Sequence, residues 1–270
     1  MKLAETNRSK EEQIRAYYRA LFRAWGRQHW WPARTRFEVI VGAYLTQNTA
    51  WTNVERALRS LRACGLLSLD GIRRVPLPQL EASIRSAGYF RQKARRLKTF
   101  VAYMDEYYGG SLNRMFAQPT EKLRQELLAL HGIGPETADS ILLYAGNHPV
   151  FVVDAYTRRI LDRHGILPEK TGYEQIRGLF ESALPSLADE FALSDESIKR
   201  IPATIVRGTS HAPSFISIAR RSPLVQIYNE MHGLIVGVGK NYCSKSKPQC
   251  ETCPLKPFLP RRGATALGGR

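Results

Sequence analysis

LALHGIGPETADSILLYAGNHPVFVVDAYTRRIL, residues Leu128 to Leu161, joins a tight turn to a single carboxylate. The tetrad Gly132-Ile133-Gly134-Pro135 lies between two amphipathic segments, Glu121 to Leu130 and Glu136 to Tyr144. That pattern predicts two short helices around a turn, where glycine permits positive φ and the close approach of another backbone. Peptide N–H groups at the start of the second helix have no intrahelical acceptor and sit at the positive end of its dipole, which suits a phosphate oxygen. A loop at Pro149, an apolar run from Val150 to Val153 and then Asp154 complete the stretch.

The rest of the composition agrees with a polyanionic partner. Among 270 residues there are 40 Lys+Arg against 24 Asp+Glu, a formal charge of +16, and this excess points to nucleic acid. A hydrophobic fraction of 43% fits a folded protein, while no stretch approaches the roughly 20 apolar residues of a membrane span. The N-terminus lacks the apolar core of a secretion signal, so a cytoplasmic, nucleoid-associated protein is expected. Cys64 stands alone, as a small core residue would. Cys243, Cys250 and Cys253 are clustered, which in a cytosolic chain favours a metal over a disulfide.

Ile14, Tyr17, Tyr18, Leu21, Phe22 and Trp25 recur at helical spacing, with Arg15, Arg19 and Arg23 on the opposite face. His29-Trp30-Trp31-Pro32 follows, and its two indoles can be core or can stack on a base. Phe37 to Leu45, Val54 to Leu67 and Leu77 to Ile84 read as further helices. The segment SAGYFRQKARRL ends one helix at Gly88 and loads the next with Lys93, Arg95, Arg96 and Lys98, a charge run expected to face the DNA backbone. Pro168 to Leu187 carries another helix or two. Ser194 to Pro223 is interrupted by Ser and Pro and has no period, Leu224 to Lys240 is helical again, and a basic tail closes the chain.

In order and spacing, the GIGP hairpin, the following AD-ILLYA helix and the VVD step resemble the helix-hairpin-helix, Gly/Pro-rich loop and aspartate signature of the endonuclease III superfamily of DNA glycosylases. Further similarity runs from about Trp30 to Cys253. The resemblance implies an all-α protein of two helical domains with the helix-hairpin-helix at the interdomain cleft. A central domain would span 37–146. Residues 1–36 and 147–258 would form the second, with an insertion at about 194–223 and a tail at 259–270. The partner implied is double-stranded DNA containing damaged bases, bound by a monomer.

By the same resemblance Asp154 is the essential aspartate that supports an oxocarbenium-like transition state and helps deprotonate water, although capping the helix at Ala155 is an equally ordinary task for it. Gln47, in LTQNT, would fill the gap left by an extruded nucleotide, and Tyr89 would be a second wedge. Lys93 and the hairpin residues His131, Gly132, Ile133, Gly134 and Thr137 would contact the DNA backbone. Relatives that also cut the strand carry a lysine two residues after the second hairpin glycine, where this chain has Glu136. A carboxylate cannot form an imine, so base removal without strand cleavage is expected.

Trp30, Trp31, Pro32, Trp51 and Glu136 match the pocket of the endonuclease III-like 3-methyladenine glycosylase branch, where electron-rich rings attract a cationic alkylated purine. Two other readings stay open. One is an oxidised-pyrimidine or mismatch glycosylase with lyase activity, and the other is a non-catalytic, structure-specific DNA-binding protein. Cys243-x6-Cys250-x2-Cys253 resembles the start of the family's [4Fe–4S] loop, but the fourth cysteine position holds Leu259.

Overall fold

The structure is a computed structural model that describes residues 9–192 and 212–260. Residues 194–211 of the expected insertion and 261–270 of the basic tail lie outside the described residues. Among the described residues the chain is helical, with no strand, and no helix is long and apolar enough to cross a membrane. It divides into two compact units. One comprises Trp31–Val150 with Pro213–Arg220 and is called here the hairpin unit; the other comprises Met1–Trp30, Phe151–Ala212 and Arg221–Arg270 and contains Asp154.

In chain order the first helix, α1 (Lys10–Trp25), belongs to the aspartate unit, and the hairpin unit follows with α2 (Arg36–Thr46), α3 (Trp51–Ala63), α4 (Leu69–Arg74), α5 (Leu77–Ser83), a 3-10 turn Arg85–Ala87, α6 (Phe90–Tyr108), α7 (Leu112–Phe116), α8 (Thr120–Ala129) and α9 (Pro135–Ser140), which runs on into a π turn, Ile141–Ala145. Helix α2 is buried from Phe37 to Leu45, as expected of a helix apolar on all sides. It packs on α3, α6, α9 and the π turn. Helix α6 turns Ala94, Leu97, Phe100, Val101 and Met104 inward. Arg124 of α8 and Asp139 of α9 form a buried bidentate pair, Nε to Oδ1 at 2.7 Å and Nη2 to Oδ2 at 3.2 Å, which bolts the two hairpin helices together.

The sequence expectation placed the whole Ser194 to Pro223 stretch in the second domain. Its described part at Pro213–Arg220 instead belongs to the hairpin unit. The reason is local: Ile216 N–H donates to Ala33 O at 3.2 Å and the Ser214 hydroxyl donates to Trp31 O at 3.1 Å.

The aspartate unit contains α1 together with α10 (Ala155–Arg163), α11 (Tyr173–Ala183), α12 (Pro185–Ala192) and α13 (Pro223–Asn241). Ser9 and Glu12 close a reciprocal capping box at the start of α1, whose Ile14, Tyr17, Tyr18, Leu21 and Trp25 are buried; the helix packs on α11 and α13. Helix α13 is buried without a break from Ile227 to Gly239 and is the core of this unit. A Cβ at Gly239 would lie 2.1 Å from the Tyr156 ring, so the missing side chain is what lets α10 settle on α13. Phe151 and Phe180 stack with ring centroids 4.1 Å apart and planes within 2°.

Candidate active site

Asp154 is the N-cap of α10. Its Oδ1 accepts from Thr157 N at 2.7 Å and from the Thr157 hydroxyl at 2.9 Å, satisfying a free amide at the helix start. Its Oδ2 points instead at His232 Nε2 of α13, 3.6 Å away, longer than a hydrogen bond and close enough for electrostatic attraction. Burial pushes the carboxyl up, but His232 and then the Thr157 donors outweigh it, so the group is held below the usual carboxylate range. The helix cap thus uses Oδ1 of Asp154. His232, buried against the Trp30 and Phe151 rings, is a site residue that sequence reasoning missed. The available signal was a histidine two residues after Glu230, at the start of the apolar run Gly233 to Gly239.

The hairpin turn places His131 and Gly134 at the surface and buries the Ile133 side chain. Gly132 has φ 85°, which favours glycine, and the atoms a Cβ there would meet belong to the Arg96 side chain, not to another backbone. Neither feature recurs at Gly134, which is extended (φ −98°, ψ 175°) with open space where a Cβ would stand.

Three expected DNA contacts are spent inside the hairpin unit. Gln47 Nε2 donates to Gly132 O at 2.9 Å and to Thr137 Oγ1 at 3.0 Å, while its Oε1 accepts from Arg96 Nη1 at 2.8 Å, so the amide braces the hairpin instead of standing free as a wedge. Thr137 is buried beneath that amide. Lys93 is 1% exposed and its Nζ donates to Leu45 O, Thr49 Oγ1 and Ala87 O, each at 2.8 Å; an ammonium with three acceptors has no donor left for a phosphate. Burial, then the nearby Arg96 charge, lowers its pKa to about 8. Lys98 likewise donates to Arg73 O and Val75 O. Of this basic run Arg95 faces outward, as does Arg91 just before it.

The residues that do protrude from these loops are Asn48 and Tyr89. Both are exposed, Tyr89 to 68%, and both hold the left-handed conformation, with φ 52° and 45°. Tyr89 was anticipated; Asn48 was not, and a short polar residue that tolerates left-handed φ was its only signal.

The expected base-pocket residues fall into separate groups. Trp30 belongs to the aspartate unit, where it packs beside His232 and Lys240 Nζ lies 5.8 Å from its ring centroid. Trp31 meets Trp51 edge-on in the hairpin unit, with centroids 5.2 Å apart and planes at 83°. Trp51 and Pro32 line an open recess of about 410 Å³ with Glu38, Glu55 and Arg62, and the Trp51 indole donates to Glu55 Oε1 at 2.8 Å. Glu136 is exposed in the first turn of α9 and is not part of this recess.

Cys243, Cys250 and Cys253 line one small cavity that Leu259 helps to close, and Arg163 Nη1 donates to Cys243 Sγ at 3.2 Å. Burial pushes the Cys253 thiol up. Among the described residues no three Cys, His, Asp or Glu side chains are spaced to hold a metal ion. With Leu259 at the fourth position, this loop supplies three thiols where a four-cysteine cluster needs four.

A family model described as HhH-GPD superfamily base excision DNA repair protein matches residues 41–186. A protein of Methanocaldococcus jannaschii, provisionally named a DNA repair glycosylase, is 40% identical over 254 residues, covering 93% of this chain and 97% of its own length. Endonuclease III of Thermotoga maritima is 26% identical over 237 residues, 87% of this chain and 88% of the relative. Among solved structures, the H. pylori 3-methyladenine DNA glycosylase bound to 1,N6-ethenoadenine aligns with a TM-score of 0.65 at 27% identity, covering 85% of this chain and 96% of that one. A trapped endonuclease III–DNA covalent intermediate aligns with a TM-score of 0.64 at 22% identity, over 92% and 95% of the two chains, a likeness of fold.

Proposed function

This chain belongs to the HhH-GPD superfamily of base excision DNA repair proteins, and from that premise we propose that it is a monofunctional DNA glycosylase acting on alkylated purines such as 3-methyladenine. The observation that carries the reading is the state of its acids. Asp154 is an ionised carboxylate with one oxygen outside its helix cap, and the position where a strand-cleaving relative would carry lysine is Glu136. Lys93 offers no substitute nucleophile, because all three of its N–H groups are engaged.

In this reading the bond between C1′ and the base nitrogen breaks with its electron pair leaving on the base. Asp154 stabilises the positive charge left on the sugar. Water then attacks C1′, its proton passes to Asp154 and on to solvent, and the products are a free base and an abasic site in an intact strand. An alkylated purine is itself cationic, so it needs no general acid to leave, and the ring of Trp51, which lines the open recess, suits such a cation. The similarity to the H. pylori enzyme supports this choice of base.

The partner is damaged double-stranded DNA in the cytoplasm, bound by a monomer, with exposed His131 and Gly134 of the turn and Tyr89 toward the strand. A charge of +16 makes that binding strongly salt-dependent. The chemistry routes no step through an iron–sulfur cluster, and iron and acid-labile sulfide analysis of anaerobically purified protein measures whether the three thiols carry one. Similarity to T. maritima endonuclease III favours a second reading, an oxidised-pyrimidine or mismatch glycosylase with lyase activity.

A base-release panel separates these readings. Duplexes carry 3-methyladenine, 7-methylguanine, hypoxanthine, thymine glycol, uracil or adenine opposite 8-oxoguanine. Preferential release of the methylated purines is expected; release confined to thymine glycol or the mismatched adenine supports the second reading, and release of nothing overturns both.

A further inference from the structure

Lys93 lies at the centre of an arrangement that base chemistry does not use. Its Nζ reaches the last turn of α2 through Leu45 O, the following loop through Thr49 Oγ1, and the end of the 3-10 turn through Ala87 O, all at 2.8 Å. Two of these acceptors are carbonyls at helical C-termini, where backbone oxygens lack an intrahelical donor and a cation is favoured. The Thr49 hydroxyl also donates to Ala87 O, so the two loops are cross-linked directly as well as through the ammonium.

Asn48 adjoins Thr49, and Tyr89 lies two residues beyond Ala87. Both are exposed and held at left-handed φ, a conformation that side chains other than glycine rarely adopt and that persists where its surroundings favour it. The surroundings here include the three bonds of Lys93 and the direct Thr49–Ala87 bond. A buried ammonium is expensive, and an apolar side chain of the same length would pack there with less desolvation. What an apolar chain cannot do is hold two loops at one fixed separation.

We propose that Lys93 is a positioning residue that locks the Asn48 loop and the Tyr89 loop into one rigid element for prising a nucleotide out of the duplex. This rests on the glycosylase reading above. Its action is on base opening, before the bond to the base breaks.

The test is Lys93→Met, with two readouts. The first is base release from the alkylated purine that wild type removes fastest, placed opposite its pairing partner and, separately, in an unpaired bubble. Release from the paired site is expected to fall about tenfold or more, while the bubble substrate changes by less than about threefold. The second, in an Asp154→Asn background that cannot cut, is the fluorescence rise of 2-aminopurine in a 2-aminopurine·thymine duplex on protein binding. That rise is expected to be lost in Lys93→Met with Kd changed by less than about threefold.

Equal losses on both substrates, no loss on either, or an undiminished fluorescence rise each overturn the proposal. If Lys93→Met does not fold, Thr49→Val removes one acceptor of the same clamp and is read by the same criteria. If wild type releases no base at all, the glycosylase reading fails, and the fluorescence arm still decides whether Lys93 governs opening.

Discussion

Lys93, buried, and Asp154, partly exposed, are both charges set at helix ends, one in each unit of the molecule, and they differ in how completely their bonding capacity is used. Lys93 gives all three protons to Leu45 O, Thr49 Oγ1 and Ala87 O. Asp154 commits Oδ1 to the Thr157 amide and hydroxyl and leaves Oδ2 facing His232 at 3.6 Å. A saturated charge can only hold its neighbours in place. A charge with capacity left over can also meet a substrate, which is why the aspartate suits catalysis and the lysine suits architecture.

That contrast is broken most decisively by Asp154→Asn. The amide keeps an oxygen for the Thr157 cap, so stability should change by less than about 1 kcal/mol. Base release should fall by about 10³-fold, the scale of losing transition-state charge stabilisation. Unchanged release, or a loss of activity that merely tracks unfolding, would remove the distinction.

The Arg124–Asp139 pair supplies a third arrangement, in which each of two buried charges is neutralised by the other. Asp139→Asn removes the carboxylate charge that faces the buried guanidinium and should cost about 3–5 kcal/mol in chemical denaturation. A cost below about 1 kcal/mol would show that the α8–α9 bolt is not what holds the hairpin.

The pH dependence of Lys93 sharpens the comparison further. Folded Lys93 releases its proton near pH 8, whereas the unfolded side chain holds it to about 10.5. Between those values the unfolded state binds more protons, so folding stability gains from this group as pH rises from 8 to 10.5. Stability of wild type relative to Lys93→Met should therefore increase by about 1–3 kcal/mol between pH 8 and 10, with Arg96 the neighbouring charge that helps to depress the ammonium. A flat or falling difference contradicts the assigned burial.

The smallest effect expected is at His232. Removing its pull takes away the largest influence that holds the carboxyl down, so His232→Gln should move the Asp154 carboxyl upward and the acid limb of the pH–rate profile to higher pH. An acid limb that stays in place would separate His232 from the site.

The hairpin was legible because the Gly132 to Pro135 tetrad interrupts two helical periods, and the helices Thr120–Ala129 and Pro135–Ser140 with its π turn lie where those periods run. Helix α4 was not legible, since six residues with only Ile72 buried carry no period. Lys93 was misread because its run of four cations looks like a wet face. Helical spacing held the correct signal, for Lys93 shares the stripe of Leu97, Phe100 and Met104. Gln47 was beyond local reading in another way: its partners Gly132 and Thr137 are 85 and 90 residues distant, and pattern along the chain says nothing about bonds made across it.

The central claim, base removal by Asp154 with no lysine nucleophile, is tested most directly by incubating wild type with methylated duplex DNA, analysing both products in one reaction and trapping any adduct with sodium borohydride in a parallel one. The account predicts free methylated purine in equal amount to alkali-labile sites, with no protein–DNA adduct and no strand break before alkali. A borohydride-trapped adduct formed in step with base release would contradict it.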